Sequence, residues 1–415
     1  MLDSTNKVGA VIGASHAGIN FAFNLRKEGW QGKIILFDAD PEFPYHRPPL
    51  SKAYLNSDKG TEHSLLFPKE SYESNAVTLK LGVKVNSINR EQKSITINDG
   101  TEQVYDKLVI ATGARPFIPP IKGIKQVTNL YPMRTAEDAV HIRNAFNNSD
   151  KKRVVVIGGG YIGLETAASL KKLGAKVVVL EREERVLARV TAPVVSEFFT
   201  EFHKKNGVQI LTSKNVNAIE KTENYNLALC DDASSFKADV IVVGVGIRVN
   251  TELAQEADLT IESGIKVDAT AKTNDDNIYS VGDCTYHYNP HYKTNVRLES
   301  VQNAVDQSKV AAKSICGQDV VYDTIPWFWS DQFDIKLQMV GLSNGYNEVI
   351  VRQENTDKTS FSVWYFKDDE LLSVDAINNA RAYMLGTRLI KGKQKINKTK
   401  LVDTSIPIKP TSFLD

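Results

Sequence analysis

At 415 residues the chain is longer than one ordinary hydrophobic core supports, so two or three domains are expected. With 42% hydrophobic and 24% charged residues, no low-complexity tract and a net charge of +1, it is a globular chain with no strong bias toward nucleic acid or membrane. No apolar run approaches the ~20 residues of a membrane helix, and "MLDSTNK" runs straight into a strand without an apolar signal region, so a cytoplasmic protein is expected.

The first predicted element is "VGAVIGASHAGINFAFNLRKEGWQGKIILFDAD", Val8 to Asp40. It reads as a buried strand, a glycine turn, a helix and a second strand ending in acids. Gly13 and Gly18 hold the outer places of a GxGxxG turn, and Ser15 replaces the middle glycine. In such a turn the first glycine allows the tight bend, the second lets the backbone approach a diphosphate, and the third lets helix and strand pack closely. The diphosphate then rests on free N–H groups at the helix start. Asp38 and Asp40 both qualify as the acid that would accept from ribose hydroxyls.

"PEFPYHRPPLSKAYL" follows as a proline-restricted loop. "KLGVKVNSINREQKSITINDGTE" alternates like a small antiparallel sheet, and "YDKLVIATGARP" is a buried strand ending at Ala111-Thr112-Gly113. Residues 114–150 lead to "VVVIGGGYIGLETAASLKKLGAKVVVLE", Val154 to Glu181, which repeats the first pattern with Gly158, Gly160 and Gly163 all in place. Glu181, 18 residues after Gly163, suits NAD rather than NADP, because a carboxylate would repel a 2′-phosphate. Arg182 directly after it could instead pair with that phosphate. "KADVIVVGVGI" is another buried strand, "NIYSVGDC" closes at Gly282-Asp283, residues 300–316 look helical, and from about 320 the chain is strand-rich, then helical, then basic. Cys230, Cys284 and Cys316 are widely spaced and form neither CxxC nor a zinc pattern, and no metal site is expected.

These elements, together with "PYHRPPLSK", "ATGARP", "MRTAEDA", "GGGYIGLE", "RVLARVTAP", "IYSVGDC", "RLESVQNAVDQ" and "PWFWSDQ" in register along nearly the whole chain, resemble the flavoprotein pyridine-nucleotide reductases of the glutathione-reductase structural class. Within it the chain resembles the ferredoxin and rubredoxin reductases of bacterial oxygenase systems. The resemblance implies an α/β fold with two Rossmann-like dinucleotide-binding domains, the NAD domain inserted in the FAD domain, and a C-terminal α+β domain. The implied boundaries are 1–113 with 245–320 for FAD, 114–244 for NAD(H), and 321–415 for the last domain.

The resemblance also implies roles. Gly13, Ser15 and Gly18 lie against the FAD diphosphate. Asp40 takes the family's ribose acid position, and Asp38 falls where glycine is frequent. Arg47 and Lys52 approach the flavin, Val85 touches adenine, Ala111 and Arg134 line the cofactor, and Asp283 binds the ribityl chain. Glu299, Val301 and Gln302 sit at the isoalloxazine edge. Gly158, Gly160, Gly163 and Glu181 hold NADH, with Ile162 and Glu165 near the nicotinamide. Lys52, Glu165, Glu299 and Trp329 are the residues implied for the reaction.

Physical arguments stand beside this. N–H groups at a helix start around Val301 suit the anionic edge of a reduced flavin. Lys52 beside the flavin N5 would polarise the hydride acceptor. The plain alternatives are a solvated loop lysine at Lys52 and core aromatics at Trp327 and Trp329. Disulfide reductases of this class place redox cysteines after the first unit, where this chain has none, so electrons must leave from the flavin edge singly. "GTRLIKGKQKINKTK", Gly386 to Lys400, carries six bases (Arg388, Lys391, Lys393, Lys395, Lys398, Lys400) and no acid. It suits an acidic 2Fe–2S ferredoxin or a rubredoxin docking near Trp329, and reads equally as a solvated surface. The implied activity is NADH-dependent ferredoxin reduction through FAD by a monomer or weak dimer. An NADH oxidase or diaphorase, and an NADH-sensing flavoprotein like apoptosis-inducing factor, are the alternatives.

Overall fold

Val8–Ile12 and Lys33–Asp38, the second apolar between its charged ends, are joined by the helix His16–Lys27, and they pair in parallel from Val8↔Lys33 to Ile12↔Phe37. In this computed structural model, which describes residues 4–354 and 359–414, they lie within a five-stranded parallel sheet. Its order is Ile278–Ser280, Lys107–Ile110, Val8–Ile12, Lys33–Asp38, Val77–Leu81. Both faces are buried: Val11, Ile34, Leu36 and Val109 enter one apolar cluster, and Ala10, Ile12, Phe37, Leu108 and Ile110 enter another. That double burial explains continuous apolar runs in place of strict alternation. The helix Val301–Ile315 contributes Ala304, Ala311 and Ala312 to the first cluster and donates from Ser308 Oγ to Ala17 O at 2.7 Å. The segment that alternates in the sequence forms the antiparallel sheet Val85–Asn89, Ser94–Ile97, Glu102–Val104.

The chain divides into two compact units. The first comprises the residues up to His46, Gly60–Arg115 and Arg248–Pro326, and the second Arg47–Lys59, Pro116–Ile247 and the residues from Trp327 on. The proline loop from Arg47 on thus groups with the second unit, whereas the sequence reading placed the whole loop in the first domain. Its side chains and backbone explain why: Ser51 and Lys52 bond to Glu165, the Ser51 carbonyl accepts from Ser169 Oγ, and the Tyr54 carbonyl accepts from Arg143.

The second unit repeats the parallel theme. Gln209–Leu211, Lys176–Leu180, Arg153–Ile157, Val240–Val243 and Leu130–Pro132 form a five-stranded parallel sheet, in that order. Its last part is a five-stranded antiparallel sheet, Trp327–Gln332, Ile335–Gly341, Glu370–Ile377, Phe361–Lys367, Glu348–Gln353, packed against the helix Ala380–Lys391. A Cβ at Gly386 would lie 2.7 Å from Val374 Cγ2, so glycine is what lets this helix approach the sheet so closely.

Candidate functional site

Both glycine turns are built by close backbone contact. Gly13 (φ +104°) and Gly158 (φ +106°) adopt the left-handed region, and a Cβ there would meet Ala111 O at 2.3 Å or Gly244 O at 2.5 Å. A Cβ at Gly18 or Gly163 would strike the carbonyl oxygen of Gly13 or Gly158, at 1.9 and 2.1 Å. The middle glycine differs: the nearest atom to a Cβ at Gly160 is Gly244 O, 4.0 Å away. The space in front of the Gly160 backbone is open, as a diphosphate requires. Ser15 takes the matching place in the first turn and caps no backbone N–H with its side chain. The helices His16–Lys27 and Tyr161–Lys172 start with neither a side-chain cap nor an acid in the first turn. Ala136–Asn147, by contrast, starts with a full Thr135/Asp138 capping box and Glu137. Helix-start N–H groups with no side-chain cap and no acid in their first turn fit a dinucleotide diphosphate at both turns.

The strand-end acids hold these turns. Asp38 Oδ2 accepts from Ala14 N at 2.5 Å and its Oδ1 from Asp40 N at 2.9 Å. Glu181 Oε2 accepts from Gly159 N at 2.5 Å and its Oε1 from Glu183 N at 2.8 Å. Asp40, two residues on, accepts from the Tyr45 hydroxyl at 3.0 Å and from Glu42 N at 3.1 Å. Both arginines near Glu181 are engaged. Arg182 pairs with Glu183 at 2.7 Å, and Arg185 donates to Thr191 O, Ala188 O and Ser196 Oγ.

Within the first unit, Ala111 donates its N–H to Ile12 O beside the turn, and Val85 is buried at the start of the antiparallel sheet. Asp283 is half-buried directly after Gly282. Val301 opens its helix, whose cap Ser300 accepts from Asn303 N. Gln302 is buried, donating to Asp306 at 2.8 Å, and Glu299 pairs with Arg297 at 2.8 Å.

Within the second unit the folded chain brings Lys52 to Glu165, 113 residues away in sequence, at 2.7 Å. The proline turns fix the lysine end: Lys52 N donates to Pro49 O and Lys52 Nζ to Pro48 O. Glu165 sits one turn into the helix that follows Gly160 and is only 2% exposed. Besides Lys52, Glu165 Oε2 accepts from Ser51 Oγ at 2.6 Å, and Oε1 accepts from Ser330 Oγ at 2.7 Å. Three side-chain donors, one of them a cation, hold this buried carboxylate. Arg47 donates to the Arg134 carbonyl at 2.8 Å. Ile162, on the first turn after Gly160, exposes 42% of its surface, unusual for isoleucine unless something covers it.

The strand Trp327–Gln332 shows a division that the sequence reading missed. Phe328 packs on Tyr161 (5.0 Å between rings), Ser330 bonds Glu165, and Gln332 bonds His203 at 2.9 Å. By alternation Trp327, Trp329 and Asp331 face the other way; the two tryptophan rings lie 5.6 Å apart, and Trp327 meets Tyr383 at 6.3 Å. Ser51, Ser330, Gln332 and His203 carry no motif of their own; only the period of two in "WFWSDQ" hinted that one face turns inward. The three cysteines are free, and burial pushes each thiol pKa up. No group of residues that could hold a metal ion occurs among the described residues.

Residues 8–308 match the family model of pyridine nucleotide-disulphide oxidoreductases, and residues 327–412 match a reductase C-terminal model. Putidaredoxin reductase of Pseudomonas putida is 38% identical over 404 residues, 96% of this chain and 95% of that protein. Rubredoxin-NAD(+) reductase of the same species is 35% identical, covering 89% and 95%. The solved covalent complex of putidaredoxin reductase with putidaredoxin superposes with a TM-score of 0.93 at 38% identity, over 97% of each chain. The chain belongs to the pyridine nucleotide-disulphide oxidoreductase family, in its branch of ferredoxin and rubredoxin reductases.

Proposed function

We propose that the protein is an FAD-dependent NADH:ferredoxin reductase serving an oxygenase system. Bound FAD would accept hydride from NADH and release electrons singly to a 2Fe–2S ferredoxin or a rubredoxin. The observation that carries this reading is the Lys52–Glu165 pair at 2.7 Å, its carboxylate buried and its lysine part-exposed, one helical turn from the open Gly160 backbone. Lys52 supplies a fixed positive charge where a hydride acceptor would be polarised.

The three-domain division is part of the same proposal: the first unit binds FAD, the parallel sheet of the second binds NADH, and the antiparallel sheet receives the carrier. Gly13, Ser15, Gly18, Asp40, Val85, Ala111, Asp283, Glu299, Val301 and Gln302 are the first unit's residues for FAD, and Arg47, Lys52 and Arg134 are proposed to act on the flavin. Gly158, Gly160, Ile162, Gly163 and Glu181 hold NADH. The preference for NADH over NADPH is supported by Arg182 and Arg185 being committed to protein partners.

For the carrier we retain Trp329 and redraw the basic stripe. Lys395 and Lys398 pair with Asp369 and Glu348, and Lys400 donates to Leu414 O, so half the stripe is neutralised or tied down by residues the linear run did not show. Arg388, Lys391 and Lys393 are exposed and in no ion pair among the described residues. With Arg381 and exposed Met384 on the same helix, and Tyr383 against Trp327, they make the basic, partly apolar face proposed for docking. Among the described residues no helix is long and apolar enough to cross a membrane; cytoplasmic residence, where NADH is supplied, completes the proposal.

The test is stopped-flow absorbance of the FAD-loaded protein. NADH should bleach the flavin rapidly, a 2Fe–2S ferredoxin should reoxidise it, and Lys52→Ala should slow the first step at least tenfold. Fast bleaching followed by reoxidation only by oxygen would favour the oxidase alternative.

A further inference from the structure

The polar chain behind Glu165 runs in one direction. His203 is fully buried, and desolvation pushes its pKa down to about 4, so its ring is neutral at working pH. Its Nε2 meets Gln332 Oε1 at 2.9 Å, an oxygen that can only accept, so Nε2 carries the hydrogen. The Gln332 amide nitrogen donates to Ser330 Oγ at 3.2 Å. With that lone pair used, the Ser330 hydroxyl points its own hydrogen at Glu165 Oε1, 2.7 Å away. Every donor along His203, Gln332 and Ser330 is aimed at the carboxylate, and each bond polarises the next. All three side chains are buried, so water does not substitute for any of them. Ser330 and Gln332 lie on the same strand as Trp327 and Trp329, facing the opposite way.

We propose that Ser330, aligned by Gln332 and His203, is a positioning residue that fixes the Glu165 carboxylate against Lys52 and thereby sets the rate of hydride transfer from NADH. The inference rests on the reading of Lys52 and Glu165 as the hydride-transfer pair. Without Ser330, Oε1 loses the one side-chain donor it has among the described residues, and the carboxylate is held on the Oε2 side alone, by Lys52 and Ser51. It can then pivot about Oε2, so its plane is no longer fixed against the lysine. The other ionisable groups around it are Lys52 from the proline loop and Tyr161 on its own helix, whose pKa is raised by burial and by the charges of Asp375 and Glu165.

The experiment compares Ser330→Ala, Ser330→Thr, Gln332→Leu and Glu165→Gln in the FAD-loaded protein. Two readouts are taken: the rate of flavin reduction by NADH, and the carboxylate stretching band in infrared difference spectra, assigned by its loss in Glu165→Gln. Ser330→Ala is expected to slow flavin reduction three- to thirtyfold and to shift that band, because one oxygen has lost its hydrogen-bond donor. Gln332→Leu should give a smaller shift in the same direction, and Ser330→Thr, which keeps the hydroxyl, should restore both. If Ser330→Ala leaves the rate and the band unchanged while Glu165→Gln cripples reduction, the positioning role is overturned and the pair's role stands. If Glu165→Gln itself reduces normally, the hydride-transfer reading has failed, and with it the basis of the inference. A loss of rate with no band shift, unrescued by threonine, would overturn the positioning role and mark Ser330 as merely structural.

Discussion

Asp38 and Glu181 do the same two jobs in the two glycine turns. Each takes the N–H of the residue after the first glycine with one carboxylate oxygen, at 2.5 Å, and the N–H two residues ahead of itself with the other. By this equivalence Asp40, the acid assigned to the FAD ribose, is the counterpart of Glu183 and not of Glu181. The two acids separate by experiment. Asp38→Ala should lower the melting temperature of the FAD-free protein, since an unpaired Ala14 N–H costs about 1–3 kcal/mol. Asp40→Asn should leave that melting temperature unchanged and weaken FAD retention about tenfold, read by fluorescence titration. Wild-type FAD retention in Asp40→Asn would transfer the ribose role to Asp38.

The donor preference is the second prediction. Glu181→Gln should lower kcat/KM for NADH roughly ten- to a hundredfold, the worth of a carboxylate–ribose interaction of about 1.5–3 kcal/mol. Glu183→Ala releases Arg182 from its ion pair and should raise kcat/KM for NADPH relative to NADH. Steady-state kinetics with both nucleotides checks each; a wild-type protein that prefers NADPH would contradict the assignment.

Thiols are predicted to be dispensable. Cys284 lies in the core with its sulfur toward Ile110 O, Cys230 is buried, and burial keeps all three protonated near neutral pH. The triple variant Cys230→Ser, Cys284→Ala, Cys316→Ser should keep NADH-to-ferricyanide activity and lose about 1–2 kcal/mol of stability in urea unfolding. A folded, FAD-loaded variant without activity would refute a thiol-free route.

Carrier docking follows the redrawn surface. Reversing Arg388 and Lys391 to glutamate should slow flavin reoxidation by ferredoxin at low ionic strength and leave ferricyanide reduction intact. Exposed charges act mainly on association, and at ~0.15 M salt the difference should shrink. Lys395→Glu should matter less, because Asp369 already offsets that lysine. Trp329→Ala should slow the ferredoxin step with little salt dependence. Equal effects at Arg388 and Lys395 would return the whole region to an ordinary solvated surface.

Asp375 gives a pH prediction. It is fully buried, with the Tyr365 hydroxyl as its hydrogen-bond donor, and desolvation pushes its pKa up to about 7 from 3.8. The folded state therefore holds a proton that the unfolded chain releases near pH 4. The associated stability is complete below that pH and is lost as pH rises toward 7. Asp375→Asn keeps an acceptor for Tyr365 without the charge. At pH 8 it should stabilise the protein by a few kcal/mol, the scale of about three pKa units, with little change at pH 4. Urea midpoints at the two pH values, with saturating FAD, measure this.

Much of the fold was legible because local pattern and global role agree here. Val8–Ile12, residues 154–157 and Val240–Val243 are continuous apolar runs because both of their faces are buried, and the glycines mark where backbone meets backbone. What stayed hidden depends on residues distant in sequence. Nothing in "PPLSK" reveals that Ser51 and Lys52 meet Glu165, nor does "WFWSDQ" reveal its serine's partner. The run from Arg388 to Lys400 looked uniformly basic because Glu348 and Asp369 reach it only through the folded sheet.

The discontinuity of the first unit also dictates an order of events during synthesis. The turn at Gly13 needs Ala111 against it, and the edge strand Ile278–Ser280 of its sheet emerges some 266 residues after Ile12. At ~5–20 residues per second that is about ten seconds to a minute of translation. The parallel sheet of the second unit, drawn from residues 130–243, is complete well before then. The nascent chain therefore carries the complete parallel sheet of the second unit while that of the first still lacks its edge strand, so the two sheets close in the reverse of the order in which they begin.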